Sequence, residues 1–127
     1  MPWSVHDRIM ELDIARQLVD RYLSCWNEPD DDARCVLVSG TWIEGGRSVD
    51  PLADVAGHDE ISSMMGSVQA QLPGHRFGLV GDVHAHHDVV HWSWAMSDPS
   101  GVTVIAGVDT AMVADGRISA LAGFFLS

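Results

Sequence analysis

Between Val102 and Val113 the chain reads Val-Thr-Val-Ile-Ala-Gly-Val-Asp-Thr-Ala-Met-Val, a strand pattern that is apolar on both alternating faces. Such a strand needs cover on both sides, which places it inside a sheet rather than at a solvated edge. Asp109 interrupts it, on one face with Ile105, Gly107, Ala111 and Val113. No cationic side chain in the run offsets the lost hydration, so desolvation should push the Asp109 pKa upward. A neutral carboxylic acid in an apolar setting is a hydrogen-bond donor, and Asp109 is therefore a candidate site residue. A structural aspartate bonded to backbone is the competing reading, and the spacing does not separate the two.

The flanking sequence repeats the period-two pattern. Strands are expected at about 75–84, 88–97, 102–113 and 117–126, joined by turns at His86-His87-Asp88, Asp98-Pro99-Ser100-Gly101 and Ala114-Asp115-Gly116. Connections this short imply an antiparallel meander. Before Pro73 the spacing is helical. Ser4 with the acidic Asp7 reads as a cap for a helix running to about Asn27, with Ile9, Leu12, Val19, Tyr22 and Trp26 on one stripe. A short helix follows the Glu28-Pro29 break and ends near Gly40. A third begins around Gly57 to Asp59, buries Ile61, Met64, Met65, Val68 and Leu72, and stops at Pro73-Gly74. Helices first and a meander second predict an α+β class, with three N-terminal helices packed on a curved antiparallel sheet.

Size and charge narrow the function. The 127 residues fit one domain, 1–127, and an apolar share of 46% supports a packed core. The formal charge of -11 repels phosphate backbones and anionic membrane surfaces, so neither nucleic acid nor membrane is an expected partner. No apolar run approaches the roughly 20 residues of a bilayer span. The N-terminus lacks a basic-then-apolar signal pattern, and Cys25 and Cys35 read as two reduced thiols, so a cytoplasmic location is expected. In the second strand Val90, Trp92, Trp94 and Met96 oppose Val89, His91, Ser93 and Ala95. One face meets the helices, and a second copy of the chain is the simplest cover for the other, which predicts a homodimer.

Several stretches resemble the nuclear transport factor 2-like superfamily of cone-shaped α+β domains, which includes ketosteroid isomerases, SnoaL-type polyketide cyclases and limonene epoxide hydrolases. They are Tyr22-Leu23-Ser24-Cys25-Trp26-Asn27, Val49-Asp50-Pro51, Ala106-Gly107-Val108-Asp109 and Asp115-Gly116-Arg117-Ile118. Within it, three positions are similar to the ketosteroid isomerase pattern. The oxyanion-hole tyrosine of those enzymes lies late in the first helix, as Tyr22 does, and their general-base aspartate directly precedes a proline, as Asp50 does. Their second oxyanion donor is a strand aspartate like Asp109, and its neutrality is a known property of those enzymes that the resemblance carries over. Gly107 stands where that pattern has proline.

The resemblance implies a cofactor-independent acid/base enzyme acting on a cyclic ketone in an apolar pocket. Asp50 would shuttle a proton while Tyr22 and Asp109 hold the oxyanion. Trp26, Trp42, His58, Trp92 and Trp94 are candidate pocket-lining residues. Tyr22 as a core aromatic and Asp50 as a turn residue before proline remain open readings. A SnoaL-type cyclase, or a non-catalytic small-ligand-binding or interaction domain, is the alternative. Epoxide hydrolase chemistry needs a carboxylate in the last strand, and Ile118 to Phe125 has none. His84, His86, His87 and His91 cluster near one hairpin, but alternation splits them between faces. Fewer than the three ligands of a catalytic zinc site align, so no metal is expected.

Overall fold

The computed structural model describes the backbone of residues 5–126 and the side chains of residues 12–126. The elements run α1 (Val5–Asn27), α2 (Asp31–Thr41), β1 (Trp42–Val49), β2 (Asp54–Ala56), α3 (His58–Gln71), β3 (Arg76–His86), β4 (Val89–Ser97), β5 (Thr103–Ala114) and β6 (Arg117–Leu126). The expected cap at Ser4 and the side chain of Ile9 lie outside the described residues.

The class is α+β, with three helices and one six-stranded sheet in the order β2-β1-β6-β5-β4-β3. The meander of β3 to β6 is antiparallel throughout. Its last turn places Asp115 at φ 52° and Gly116 at φ 76°, the paired left-handed geometry that suits a two-residue hairpin between twisted strands.

Two strands depart from the expectation of a wholly helical first half. β1 pairs antiparallel with β2 but parallel with β6, so the sheet is mixed rather than antiparallel. The sequence Trp-Ile-Glu-Gly-Gly-Arg-Ser-Val hides this strand because its register shifts between Trp42 and Arg47. Gly45 sits there at φ 78°, and the irregularity breaks the two-residue alternation on which strand recognition depends.

The helices are fastened to the sheet by specific polar contacts as well as by apolar burial. Asp30 caps α2 by accepting from the Ala33 N–H at 2.8 Å. Asn27 closes the end of α1 against β3, donating to the Phe77 carbonyl at 2.9 Å and accepting from the Phe77 N–H at 2.8 Å. Arg34 is buried between α2 and α3, donating to the Ser62 carbonyl at 3.0 Å and the Glu28 carbonyl at 3.0 Å, and pairing with Asp31. Beneath these, Val19, Val38, Trp42, Ile61, Met65, Trp92 and Ile118 form a fully buried core.

Alternation sorts β4 and the middle of β5, while a register shift near Met112 offsets the start of β6. Trp92, Trp94 and Met96 of β4 point inward with Gly107, Asp109 and Ala111 of β5 and Ile118, Leu121 and Gly123 of β6. No helix among the described residues is long and apolar enough to cross a membrane. Cys25 is buried and Cys35 exposed, both as free thiols.

Candidate functional site

Tyr22, Asp50 and Asp109 meet around one small enclosed cavity of about 40 Å³. They arrive from three elements. Tyr22 projects from the last quarter of α1, its ring edge-on to Trp92 with centroids 5.1 Å apart. Asp109 points inward from the middle of β5. Asp50 follows β1, where Val49 pairs with Ala122 of the adjacent β6. This parallel pairing, invisible to the sequence reading, carries Asp50 to the site: its Cβ lies near Gly123, whose own neighbour across the ladder is Asp109.

Asp50 is held by its own turn. Its Oδ1 accepts from the Leu52 N–H at 2.8 Å and the Ala53 N–H at 2.9 Å. Both bonds use the same oxygen, which leaves Oδ2 without a hydrogen bond among the described residues. The turn-residue reading and the site reading of Asp50 are therefore compatible.

Burial raises the pKa of Asp109 from its ordinary 3.8 to about 7. The Trp94 indole and the Tyr22 hydroxyl act in the opposite direction, and the Asp50 charge adds to the rise. Burial likewise pushes the Tyr22 phenol well above its usual range, reinforced by the negative charge of Asp109. Phenol and carboxyl lie close enough for each to shift the other. Below about pH 7 the pair thus offers O–H donors where an ordinary aspartate would offer only acceptors.

The walls are aromatic. Trp26 packs at a tilt on Phe77 at 4.8 Å, Phe77 meets Trp94 at 5.5 Å, and Trp94 meets Phe125 edge-on at 6.2 Å. Phe125 lines the cavity and is also partly exposed, so it forms the mouth, with the backbone of Phe124 beside it while the Phe124 ring turns to the other face of the sheet. Among the expected lining residues, Trp26 and Trp94 are in place, whereas Trp42, Trp92 and His58 do not line the cavity. Trp42 and Trp92 are fully buried behind Tyr22, and His58 Nε2 is engaged with the Trp42 carbonyl at 2.8 Å. Phe77, Phe125 and Gly123 were missed by sequence reasoning. The cross-strand pairs Phe77–Met96 and Gly107–Phe125 turn both phenylalanines inward, and that register is not written in local periodicity.

Larger clefts lie elsewhere, but they are open. The widest, between α2 and α3, is lined by Asp31, Arg34 and Ser62, whose polar groups already bond one another. Among the described residues, no group of three or more His, Cys, Asp or Glu side chains is arranged to hold a metal ion.

No family profile matches the chain, and no curated protein does. Solved structures do. The chain is 33% identical to a candidate isomerase of the SnoaL-like family from Agrobacterium tumefaciens str. C58, over 91% of this chain and 99% of that one, with a TM-score of 0.87. A candidate SnoaL-like polyketide cyclase from Jannaschia sp. CCS1 matches at 19% identity over 87% of this chain and 85% of that one, TM-score 0.67. A candidate ketosteroid isomerase from Kribbella flavida DSM 17836 matches at 16% identity over 92% and 81%, TM-score 0.69. At those two lower identities the likeness shows the fold alone.

Proposed function

The chain belongs to the SnoaL-like family, within the nuclear transport factor 2-like superfamily, and from that premise we propose that it is an acid/base enzyme that moves protons on a small cyclic ketone. The observation that carries this reading is the convergence of Tyr22, Asp50 and Asp109 on one cavity, where burial raises the Asp109 pKa to about 7.

Each residue has a distinct task. A β,γ-unsaturated ketone loses an α proton to Asp50, and the electron pair of that C–H bond delocalises into the carbonyl to give a dienolate. Asp50, now protonated, returns the proton at the γ carbon, and the double bond comes into conjugation with the ketone. Negative charge develops on the carbonyl oxygen during the first step. Tyr22 and protonated Asp109 donate to that oxygen, and neither needs to shed a tightly held water shell first. The closed cycle consumes no other reactant.

Size sets the substrate class. A volume of about 40 Å³ corresponds to roughly two or three waters, so a four-ring steroid is excluded without wholesale repacking. A single ring enters if Phe125 swings outward at the mouth. The aromatic walls favour a flat ring over a branched chain.

The test is conversion of cyclohex-3-enone to cyclohex-2-enone, followed by ultraviolet absorbance. Wild type is expected to turn over, and Asp50→Asn to lose at least about a hundredfold in rate while still binding the product. Ligand binding without turnover in the wild type would reassign the cavity to a non-catalytic binding role. As a further part of this proposal, two copies pair through the outer face of the sheet.

A further inference from the structure

Resting on the reading above, we propose that the Trp94 indole N–H is a third hydrogen-bond donor to the ligand oxygen, beside Tyr22 and Asp109.

Trp94 is more than nine-tenths buried and lines the cavity, and its Nε1 has no hydrogen-bond partner. An indole N–H only donates, and leaving it unbonded inside a protein is unfavourable, so it requires an acceptor. Trp42 and Trp92 also carry unpartnered indole nitrogens, but those side chains do not reach the cavity. Trp94 differs from them in its address.

Glycine sets that address. Trp94 pairs across the ladder with Gly107, and a Cβ at Gly107 would lie 2.6 Å from Trp94 Cε2 and closer still to Cζ2. The indole therefore occupies the space over Gly107, and a proline or alanine at position 107 would collide with it. Nε1 is bonded to Cε2 and is held at the same surface, one pleat from Asp109 on the same face. Its influence on Asp109 has the sign of a donor facing a carboxyl group, opposing the effect of burial. Yet the two atoms do not close into a hydrogen bond. A ligand oxygen seated between them completes the geometry for both.

Three donors aimed at one point select the ligand chemistry. A carbonyl oxygen that becomes an oxyanion can accept three hydrogen bonds, whereas a hydroxyl that must also donate has no acceptor among these three groups and would have to turn its proton toward Asp50. The site thus prefers planar rings bearing an anionic or strongly polarised oxygen over alcohols of the same shape.

The probe is 4-nitrophenol, whose colour reports its own ionisation. Binding is measured at about pH 6, below the Asp109 value of about 7, to wild type, Trp94→Phe, and Tyr22→Phe. Trp94→Phe is expected to weaken binding roughly tenfold and to lower the ionised fraction of the bound probe, because a charge-assisted bond is lost. In the wild type the Trp94 Nε1 proton resonance should move downfield on binding, a readout that survives if the variant fails to fold. An unmoved resonance, or equal affinity for Trp94→Phe with weakened binding by Tyr22→Phe, would overturn the Trp94 assignment and leave the oxyanion site standing. Absence of binding to wild type would overturn both.

Discussion

A carboxyl group that ionises near pH 7 in the folded chain and near 3.8 in the unfolded one makes stability depend on pH in a fixed direction. The native state binds that proton more tightly, so the contribution of Asp109 is fully present below about pH 4 and is lost as pH rises through about 7. Asp109→Asn cannot ionise and should flatten this slope. Above pH 8 the variant is expected to be more stable than wild type by on the order of 3 kcal/mol, with little difference near pH 4. Urea unfolding at both pH values checks it, and a variant less stable than wild type at pH 8 would show that the carboxylate is well accommodated. Asp109 was legible in the sequence because one charge in a doubly apolar strand has few places to go. Trp94 was legible as an inward residue but not as a donor. Its orientation depends on Gly107 across the ladder, and local periodicity is silent on cross-strand partners.

Among the elements, the register of β4, β5 and β6 brings the site together, and two glycines keep it open. Gly107 lets the Trp94 indole lie on β5, and Gly123 leaves room for the Asp109 carboxyl, whose Oδ1 would stand 2.5 Å from an added Cβ. Gly107→Ala is expected to destabilise the fold by about 2 kcal/mol through overpacking against an indole and a backbone carbonyl. Gly123→Ala should instead displace Asp109, lowering turnover more than stability. Denaturant unfolding beside an activity assay separates the two; equal losses of stability in both would contradict the assignment. The long helices were readable from their apolar period, and the meander because its register shifts, near Val80, Met96 and Met112, leave apolar runs of several residues intact between them. β1 was not, because a bulge at Gly45 disrupts its alternation and its partner, β6, lies some seventy residues along the chain. That same strand delivers Asp50, so the turn before Pro51 was visible in the sequence while its path to Asp109 was not.

Over the whole molecule, the inner face of the sheet is filled by helices and aromatic rings, and the outer face remains apolar. Val104, Met112, Phe124 and Leu126 are exposed on the outer side of β5 and β6. A charge of -11 opposes association, so a dimer through this face must gain enough apolar burial to offset repulsion, and salt should strengthen it. Light scattering on the wild type is expected to give twice the chain mass, and Val104→Glu with Met112→Glu to give a monomer that keeps its fold. A monomeric wild type would end that proposal. The helical and meander halves, and hence the class, could be argued from composition and period alone. The volume of the cavity could not, since it depends on how Trp26, Phe77, Trp94 and Phe125 close on one another. The central claim is that this small space abstracts a proton next to a carbonyl. The most direct measurement is proton–deuterium exchange at the α carbons of cyclohexanone in heavy water, followed by nuclear magnetic resonance. The account predicts exchange well above the buffer rate with wild type, and a return to near the buffer rate with Asp50→Asn. Exchange no faster than buffer, or exchange that Asp50→Asn leaves unchanged, would contradict it.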